Sequence, residues 1–265
     1  MRGVRGLHER LLRLAGARAE MDEQLLVQIR DIYEEGRGLY GSPRIHAALQ
    51  QRGIRCSRKR VARLMRQAGL RSKRRPKRRV RTTDSEHQRR VAPNLLQRDF
   101  SATAPNEKWV GDIVGIWTAE GWLYLAALLD TYSRFIVGWS MSIFRDEALV
   151  MAALRMALRR RDIPDTLIHH TDRGSQYTAD DYLALLASYD IQVSMSGQGD
   201  PYDNAMIESF FSTLRAELTD LHPFPTRRSA RTALFDFIEV FYNRQRLHSS
   251  LGYCSPLVYE THYFS

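Results

Sequence analysis

A layered α/β domain on a mixed five-stranded sheet, preceded by a small all-α module, is the fold this sequence predicts, on three observations. Charge is divided along the chain: residues 1–90 hold 25 Lys/Arg against 9 Asp/Glu, a net of +16, and residues 91–265 hold 15 against 21, a net of −6. The basic part consists of short amphipathic segments separated by cap and turn residues. In the acidic part three consecutive apolar runs are followed by alternating helical and extended patterns, the order expected of a mixed sheet with helices packed on it. A basic first third beside an acidic remainder points to a nucleic-acid-binding arm attached to a domain that uses carboxylates.

Residues 1–21 are a basic leader with Leu7, Leu11 and Leu14 at helical spacing and no assignment beyond that. The leader is Arg-rich, as organelle transit peptides are, but lacks the continuous apolar core of a secretory signal. Residues 22–70 read as three helices. The first spans 22–35, with Leu25, Ile29 and Ile32 near one face. Ser42-Pro43 opens the second, since proline suits the first helical position, and Gly53 closes it. Ser57 caps the third, where Val61, Leu64, Met65 and Ala68 fall at i, i+3, i+4 and i+7, a buried stripe. Arg58, Lys59, Arg60, Arg63 and Arg66 occupy the rest of that helix. The pattern fits a helix-turn-helix whose last helix enters the major groove, or a small bundle with a charged face.

Residues 71–106 form a basic linker. Its charge density around Lys73, Arg74, Arg75, Lys77, Arg78 and Arg79 excludes a packed core and suits phosphate contacts that add affinity without reading sequence. A nuclear-localisation run would look the same by composition.

The core spans 107–225. Strands are expected at Lys108–Thr118, Leu123–Asp130 (apolar enough to be buried on both faces) and Phe135–Ser142. A helix follows at Glu147–Arg160, with Leu149, Ala152, Ala153 and Met156 inward. Then come a strand at Thr166–His170, a helix at Ala179–Ser188, a strand at Ile191–Ser196 and a helix at Asp203–Leu218. Residues 226–265 are read as a C-terminal helical extension. Composition, 43% apolar with 10% aromatic, is that of an ordinary globular protein. No run of 18 apolar residues predicts a membrane span, so cytosol is expected. The two cysteines, Cys56 and Cys254, offer no zinc-ligand spacing.

Three acids stand in distinctive surroundings: Trp-Val-Gly-Asp112-Ile, His-His-Thr-Asp172-Arg-Gly-Ser-Gln-Tyr and Tyr-Asp-Asn-Ala-Met-Ile-Glu208-Ser-Phe-Phe, the last two 35 residues apart. Three carboxylates together can hold two Mg²⁺ or Mn²⁺ ions about 3.5–4 Å apart and clamp the attacking and leaving oxygens of a phosphodiester. Singly, each has a plainer reading: an exposed strand position, a turn cap, a surface helix residue. Position favours the site. Glu208 lies at the edge of the stripe formed by Ile207, Phe210, Phe211, Leu214 and Leu218, at about 100° per residue, with Arg215 almost in line. Asp172 follows a buried strand, where ligands of open α/β sheets gather; Gln176, in the donor-rich loop beside it, is expected to contact DNA, and Arg215 either holds a DNA phosphate or neutralises a neighbouring acid. His169 and His170 invite a metal or base role, but alternation turns at most one of them toward the site, and a core role fits equally.

From about Asp22 to Glu260 the sequence resembles the second-frame (OrfB) transposases of bacterial insertion sequences, whose catalytic core is similar to that of retroviral integrases and RNase H. The resemblance rests on Tyr40-Gly-Ser-Pro-Arg-Ile-His46, Asn94-Leu-Leu, Pro105-Asn106-Glu-Lys-Trp109, Asp130-Thr-Tyr-Ser-Arg134, the three acidic motifs and Phe241-Tyr-Asn-Arg-Gln-Arg-Leu-His-Ser-Ser-Leu-Gly-Tyr253 with Pro256. It implies that Asp112, Asp172 and Glu208 are the catalytic, metal-binding triad, with two Mg²⁺ or Mn²⁺ ions as cofactors. Arg215 takes the place of a basic residue that is most often Lys, with a different geometry. Gly111 and Ile113-Val114 depart from the family's usual Thr before and Thr-Tyr after the first acid.

The resemblance further implies double-stranded DNA as partner, both terminal inverted repeats and target. It also implies a homo-oligomer on DNA, action with or as a fusion to an upstream frame, and a bacterial cytoplasmic, nucleoid-associated location. The implied activity is metal-dependent cleavage at element ends and strand transfer of the 3′-hydroxyl. A nuclease that cuts without joining, and a non-catalytic DNA-binding regulator derived from a transposase, are the alternatives.

Overall fold

The computed structural model describes residues 2–73, 92–197 and 201–264, with side chains from residue 16 and, in the last segment, from residue 203. Arg74, Arg75, Lys77, Arg78 and Arg79, expected to grip phosphates, lie outside the described residues. The chain divides into two compact units, Met1–Arg74 and Arg75–Ser265.

In the first unit α1 (Arg2–Glu35), α2 (Ser42–Gln51) and α3 (Arg58–Gln67) pack together. The expected leader and first helix are one continuous helix. Residues 7–35 contain no proline and are rich in Leu, Arg, Ala, Glu and Gln, all good helix formers, so nothing stops it at 21. The other boundaries follow local chemistry. Pro43 sits in the first turn of α2, and Gly53 takes φ +76° just past its end, a left-handed backbone that glycine adopts without strain. The Ser57 side chain accepts from Arg60 N at 3.2 Å at the start of α3. Val61, Leu64 and Met65 are buried with Ile29, Ile32, Ile45 and Leu49, while Ala68 is half-buried at the C-cap.

In the second unit β1 (Lys108–Thr118), β2 (Gly121–Asp130), β3 (Ile136–Ser142), β4 (Ile168–Thr171) and β5 (Gln192–Met195) form one sheet in the order β3-β2-β1-β4-β5. The first three strands are antiparallel, and β4 and β5 run parallel to β1. Helices α4 (Glu147–Arg160) and α5 (Asp180–Ala187) bury Trp109, Ile113 and Val137 on one face. Helices α6 (Ala205–Leu214) and α7 (Arg227–Phe235) pack on β1 and β2, and α8 (Pro256–Phe264) ends the chain.

Two helix faces differ from the sequence expectation. On α4 the buried residues are Leu149, Val150, Ala153, Leu154 and Ala157; Ala152 is exposed and Met156 half-buried. The cause is Gly138 on β3. A Cβ there would lie 2.3 Å from the Ala153 carbonyl oxygen and 2.8 Å from the Ala157 Cβ. The helix backbone therefore rests directly on the strand and turns its alanines toward it. The expected Asp203–Leu218 helix is instead a 3₁₀ turn (Pro201–Asn204), α6, and a π turn (Arg215–Thr219). The wider turn rotates the buried stripe, so Ala216 and Glu217 are buried and Leu218 only half-buried. Glu217 meets Arg246 in a buried bidentate ion pair at 2.6 and 2.7 Å.

Candidate active site

Strand register brings the first two acids together. In the parallel pairing of β1 with β4, Gly111 lies opposite Thr171. Asp112 and Asp172 are each the next residue, Asp172 just past the end of β4, and the Asp172 charge is felt at the Asp112 carboxyl. Asp112 accepts from its neighbour's Ile113 N at 2.7 Å, and Asp172 from Gly174 N at 2.9 Å. Gly174 is tightly enclosed: a Cβ would stand 2.9 Å from both Asp172 Oδ1 and Gln176 Oε1.

The electrostatics record this crowding. Burial first, and then the Asp172 charge, push the Asp112 carboxyl up to about 8, with Glu208 adding to the rise and the Ile113 N–H and Arg145 opposing it. Two carboxylates so placed disfavour double ionisation unless a cation joins them. Glu208, in the first turn of α6, is half-buried; burial raises its carboxyl and the Arg215 charge lowers it. Arg215 stands where α6 widens into the π turn. Among the described residues no three His, Cys, Asp or Glu side chains converge closely enough to hold a metal ion together. Asp172 and, more weakly, Glu208 act on the Asp112 carboxyl through their charges.

His169 and His170 belong to the core. His169 Nε2 shares a 2.7 Å hydrogen bond with the Tyr182 hydroxyl, and His170 Nδ1 one of 2.8 Å with Ser194 Oγ. Burial lowers them to about 3 and about 4, which makes both rings weak proton acceptors at physiological pH. His169 also accounts for Gly111: a Cβ there would lie 3.0 Å from the His169 ring.

Three residues at the site carry no role in the sequence reading. Asn204 Nδ2 donates to the Gly111 carbonyl at 3.3 Å and so ties the start of α6 to the strand of Asp112. Asp203 accepts from Asn94 Nδ2 at 2.9 Å, Gly197 N at 2.8 Å and Arg98 Nε at 3.3 Å. Their signal was present: two polar residues immediately ahead of an apolar helix, buried in the structure. The third, Arg145, precedes α4 in a loop and has no periodic signal. Gln176, expected to touch DNA, uses its amide N–H to hold the Arg145 carbonyl at 2.9 Å.

On α3, Arg58, Lys59 and Arg66 are exposed. Arg60 and Arg63 are half-buried, each paired with Asp22 of α1 at 2.6 Å. They brace α3 against α1. Lys73 is exposed, its backbone N–H donating to Gly38 O at 2.9 Å.

An HTH-like domain family matches residues 20–78, and integrase core domain families match 102–201 and 189–256. The chain is 43% identical to the transposase for insertion sequence element IS904 of Lactococcus lactis, over 90% of this chain and 94% of the relative. The chain belongs to the insertion-sequence transposases. It is likewise 43% identical to the IS600 uncharacterized 31 kDa protein of Shigella sonnei, over 93% and 90% of the two chains. Transposase InsF for insertion sequence IS3A of Escherichia coli is 44% identical over 83% and 76%. Among solved structures, the intasome of simian T-cell lymphotropic virus contains a chain of the same fold, at TM-score 0.51 and 16% identity, covering 81% of this transposase and 69% of that chain. The integrase-core fold and the N-terminal helical module are thus those of the transposase family. Among the described residues no helix is long and apolar enough to cross a membrane.

Proposed function

We propose that this chain catalyses divalent-metal-dependent cleavage of DNA at the ends of an insertion element, followed by transfer of the 3′-hydroxyl into target DNA. The observation that supports the reading is the β1/β4 register, in which the residues just before Asp112 and Asp172, Gly111 and Thr171, lie opposite one another, with the charges of Asp172 and Glu208 both felt at Asp112. The carboxylate set fits hard divalent cations. Asp112 and Asp172 would hold Mg²⁺ or Mn²⁺, with Glu208 closing on them when substrate binds. A bound pair of ions supplies Lewis acidity and neutralises charge at the phosphate oxygens.

This chain's own groups then orient the reaction. Asn204 and Asp203 fix the start of α6, and Gly174 N–H holds Asp172. Water attacks phosphorus and the 3′ oxygen leaves, giving a 3′-hydroxyl and a 5′-phosphate. That hydroxyl then attacks a target phosphodiester, expelling the target's own 3′ oxygen. Neutral His169 and His170 take no proton. Arg58, Lys59 and Arg66 are the α3 side chains free to meet DNA, and Arg215 stands ready beside Glu208.

The test is nicking of supercoiled plasmid in Mn²⁺ by the full chain and by Asp172→Asn. Wild type nicks, EDTA abolishes it, and the variant falls by more than ~10²-fold, beyond the loss typical of an outer-shell partner. Equal rates would refute the assignment. Joining of a 3′-hydroxyl oligonucleotide to plasmid separates a transposase from a nuclease, and binding by both proteins without cleavage would favour a regulator.

A further inference from the structure

Arg145 lies between β3 and α4, and three observations set it apart. Its backbone carbonyl accepts from Gln176 Nε2 at 2.9 Å, which joins its segment to the Asp172 loop. Gln176 itself stands against the Asp172 carboxylate, since a Cβ on Gly174 would lie 2.9 Å from Asp172 Oδ1 and from Gln176 Oε1, and the Arg145 charge is felt at the Asp112 carboxyl and the buried Tyr177 phenol. Its Nε is buried with no hydrogen-bond partner, and no side-chain ion pair forms to it among the described residues.

A guanidinium serving only to neutralise Asp112 or Asp172 would take a carboxylate in a paired, bidentate geometry, the form that repays its desolvation. This one does not, although its charge reaches Asp112. An unpaired buried donor is a cost to the fold, and such costs persist where a ligand supplies the missing acceptor. The acceptor best matched to a guanidinium is anionic, and one that reaches the acidic pair would supply it. For a guanidinium beside carboxylates that work on DNA, a phosphodiester oxygen meets both conditions.

We infer that Arg145 is a substrate-binding residue that takes a non-bridging oxygen of the DNA phosphodiester held at Asp112 and Asp172. The inference rests on the proposed function for the identity of the anion. Gln176 acts as its positioning residue, with its amide N–H turned inward to set the Arg145 backbone. Because Arg145 comes from the β3–α4 connection and Arg215 from the α6 side, the scissile phosphate is approached by cations from two separate elements.

The test uses the full chain with Arg145→Met and Arg145→Lys. In Ca²⁺, to limit turnover, duplex DNA affinity is measured against salt. Loss of one phosphate contact lowers the slope of log affinity against log salt by about 0.9. Arg145→Met should show that loss and Arg145→Lys should not. Urea unfolding of Arg145→Met should stay at or above the wild-type midpoint, because an unpaired buried donor has been removed. In Mn²⁺, nicking by Arg145→Met should fall by about 10²–10³-fold, the loss usual for a preorganised donor to developing charge. An unchanged salt slope, or a clearly lowered unfolding midpoint, would overturn the inference. The affinity measurement needs no turnover, so an inactive wild type would count against the proposed function while Arg145 is still judged by its slope.

Discussion

Asn243 offers the sharpest test of how the C-terminal segment holds the sheet. It is fully buried, and its side chain receives the Ile136 N–H at 2.9 Å and donates to the Ile136 carbonyl at 3.1 Å, acting as a short strand partner for the start of β3. Its own backbone N–H binds Ile238 O, and its carbonyl receives Leu257 N. Asn243→Ala removes both side-chain bonds and leaves a donor and an acceptor of Ile136 facing a small gap. Each unpaired buried group costs about 1–3 kcal/mol, for a sum of roughly 2–6 kcal/mol. Water entering the polar gap would bring this toward the lower half, so about 3 kcal/mol is expected, a large share of a domain stability of about 5–15 kcal/mol. At about 2–4 °C per kcal/mol for a unit of this size, the melting temperature should drop by roughly 6–12 °C.

Urea and thermal unfolding followed by far-ultraviolet circular dichroism would measure it. Asn243→Asp provides the control: nearly isosteric, it keeps the acceptor for Ile136 N–H but sets a carboxylate oxygen against the Ile136 carbonyl. It should be no more stable than the alanine variant at neutral pH. An alanine variant within about 0.5 kcal/mol of wild type, the range of ordinary surface changes, or an aspartate variant clearly more stable than alanine, would refute the strand-partner argument.

Two further outcomes follow from the packing. Gly138→Ala should destabilise the sheet unit by about 1–3 kcal/mol or more, as overpacking does, because its Cβ would strike the α4 backbone at Ala153; urea unfolding that matches wild type would contradict the close approach. Asp22 is held below its ordinary 3.8, first by the Arg63 hydrogen bond and then by Arg60. A depressed carboxylate contributes stability above its unfolded value and loses it as pH falls through the folded one. Acid titration should therefore cost the wild type more than Asp22→Ala below about pH 4, and at neutral pH Asp22→Ala, by freeing two arginines, should tighten DNA binding with a steeper salt dependence.

The parts of this fold that were legible in the sequence are those set by local chemistry. Ser57, Pro43 and Gly53 mark helix ends because capping and φ preference act within a few residues. The apolar runs of β1 to β3 mark strands because both faces of the sheet are covered. What stayed hidden depends on contacts far apart in the chain. The inward face of α4 follows from Gly138 meeting Ala153 and Ala157. Helical period alone could not place Glu217 in the core, since the π turn that buries it serves an ion pair with Arg246, 29 positions on. His169 and His170 invited a site role by type, and only their burial and their hydrogen bonds to Tyr182 and Ser194 show them to be packing groups.

The same distinction explains why the acidic pair could be named while its surroundings could not. Asp112 and Asp172 each stand in a run with recognisable character, and a parallel strand pairing is enough to join them. Arg145 and Gln176 have no such run. Their roles arise from one hydrogen bond across 31 positions and from an Nε left without an acceptor. A strand register can position two carboxylates to within a residue spacing, but it cannot by itself bring in the opposing charge that a phosphodiester needs. Under the proposed function that task falls to the loops and helix ends around the sheet, where single residues act without a repeating pattern. Substitutions in these connections should therefore alter DNA handling more than stability, and those at Gly138 or Asn243 should do the reverse.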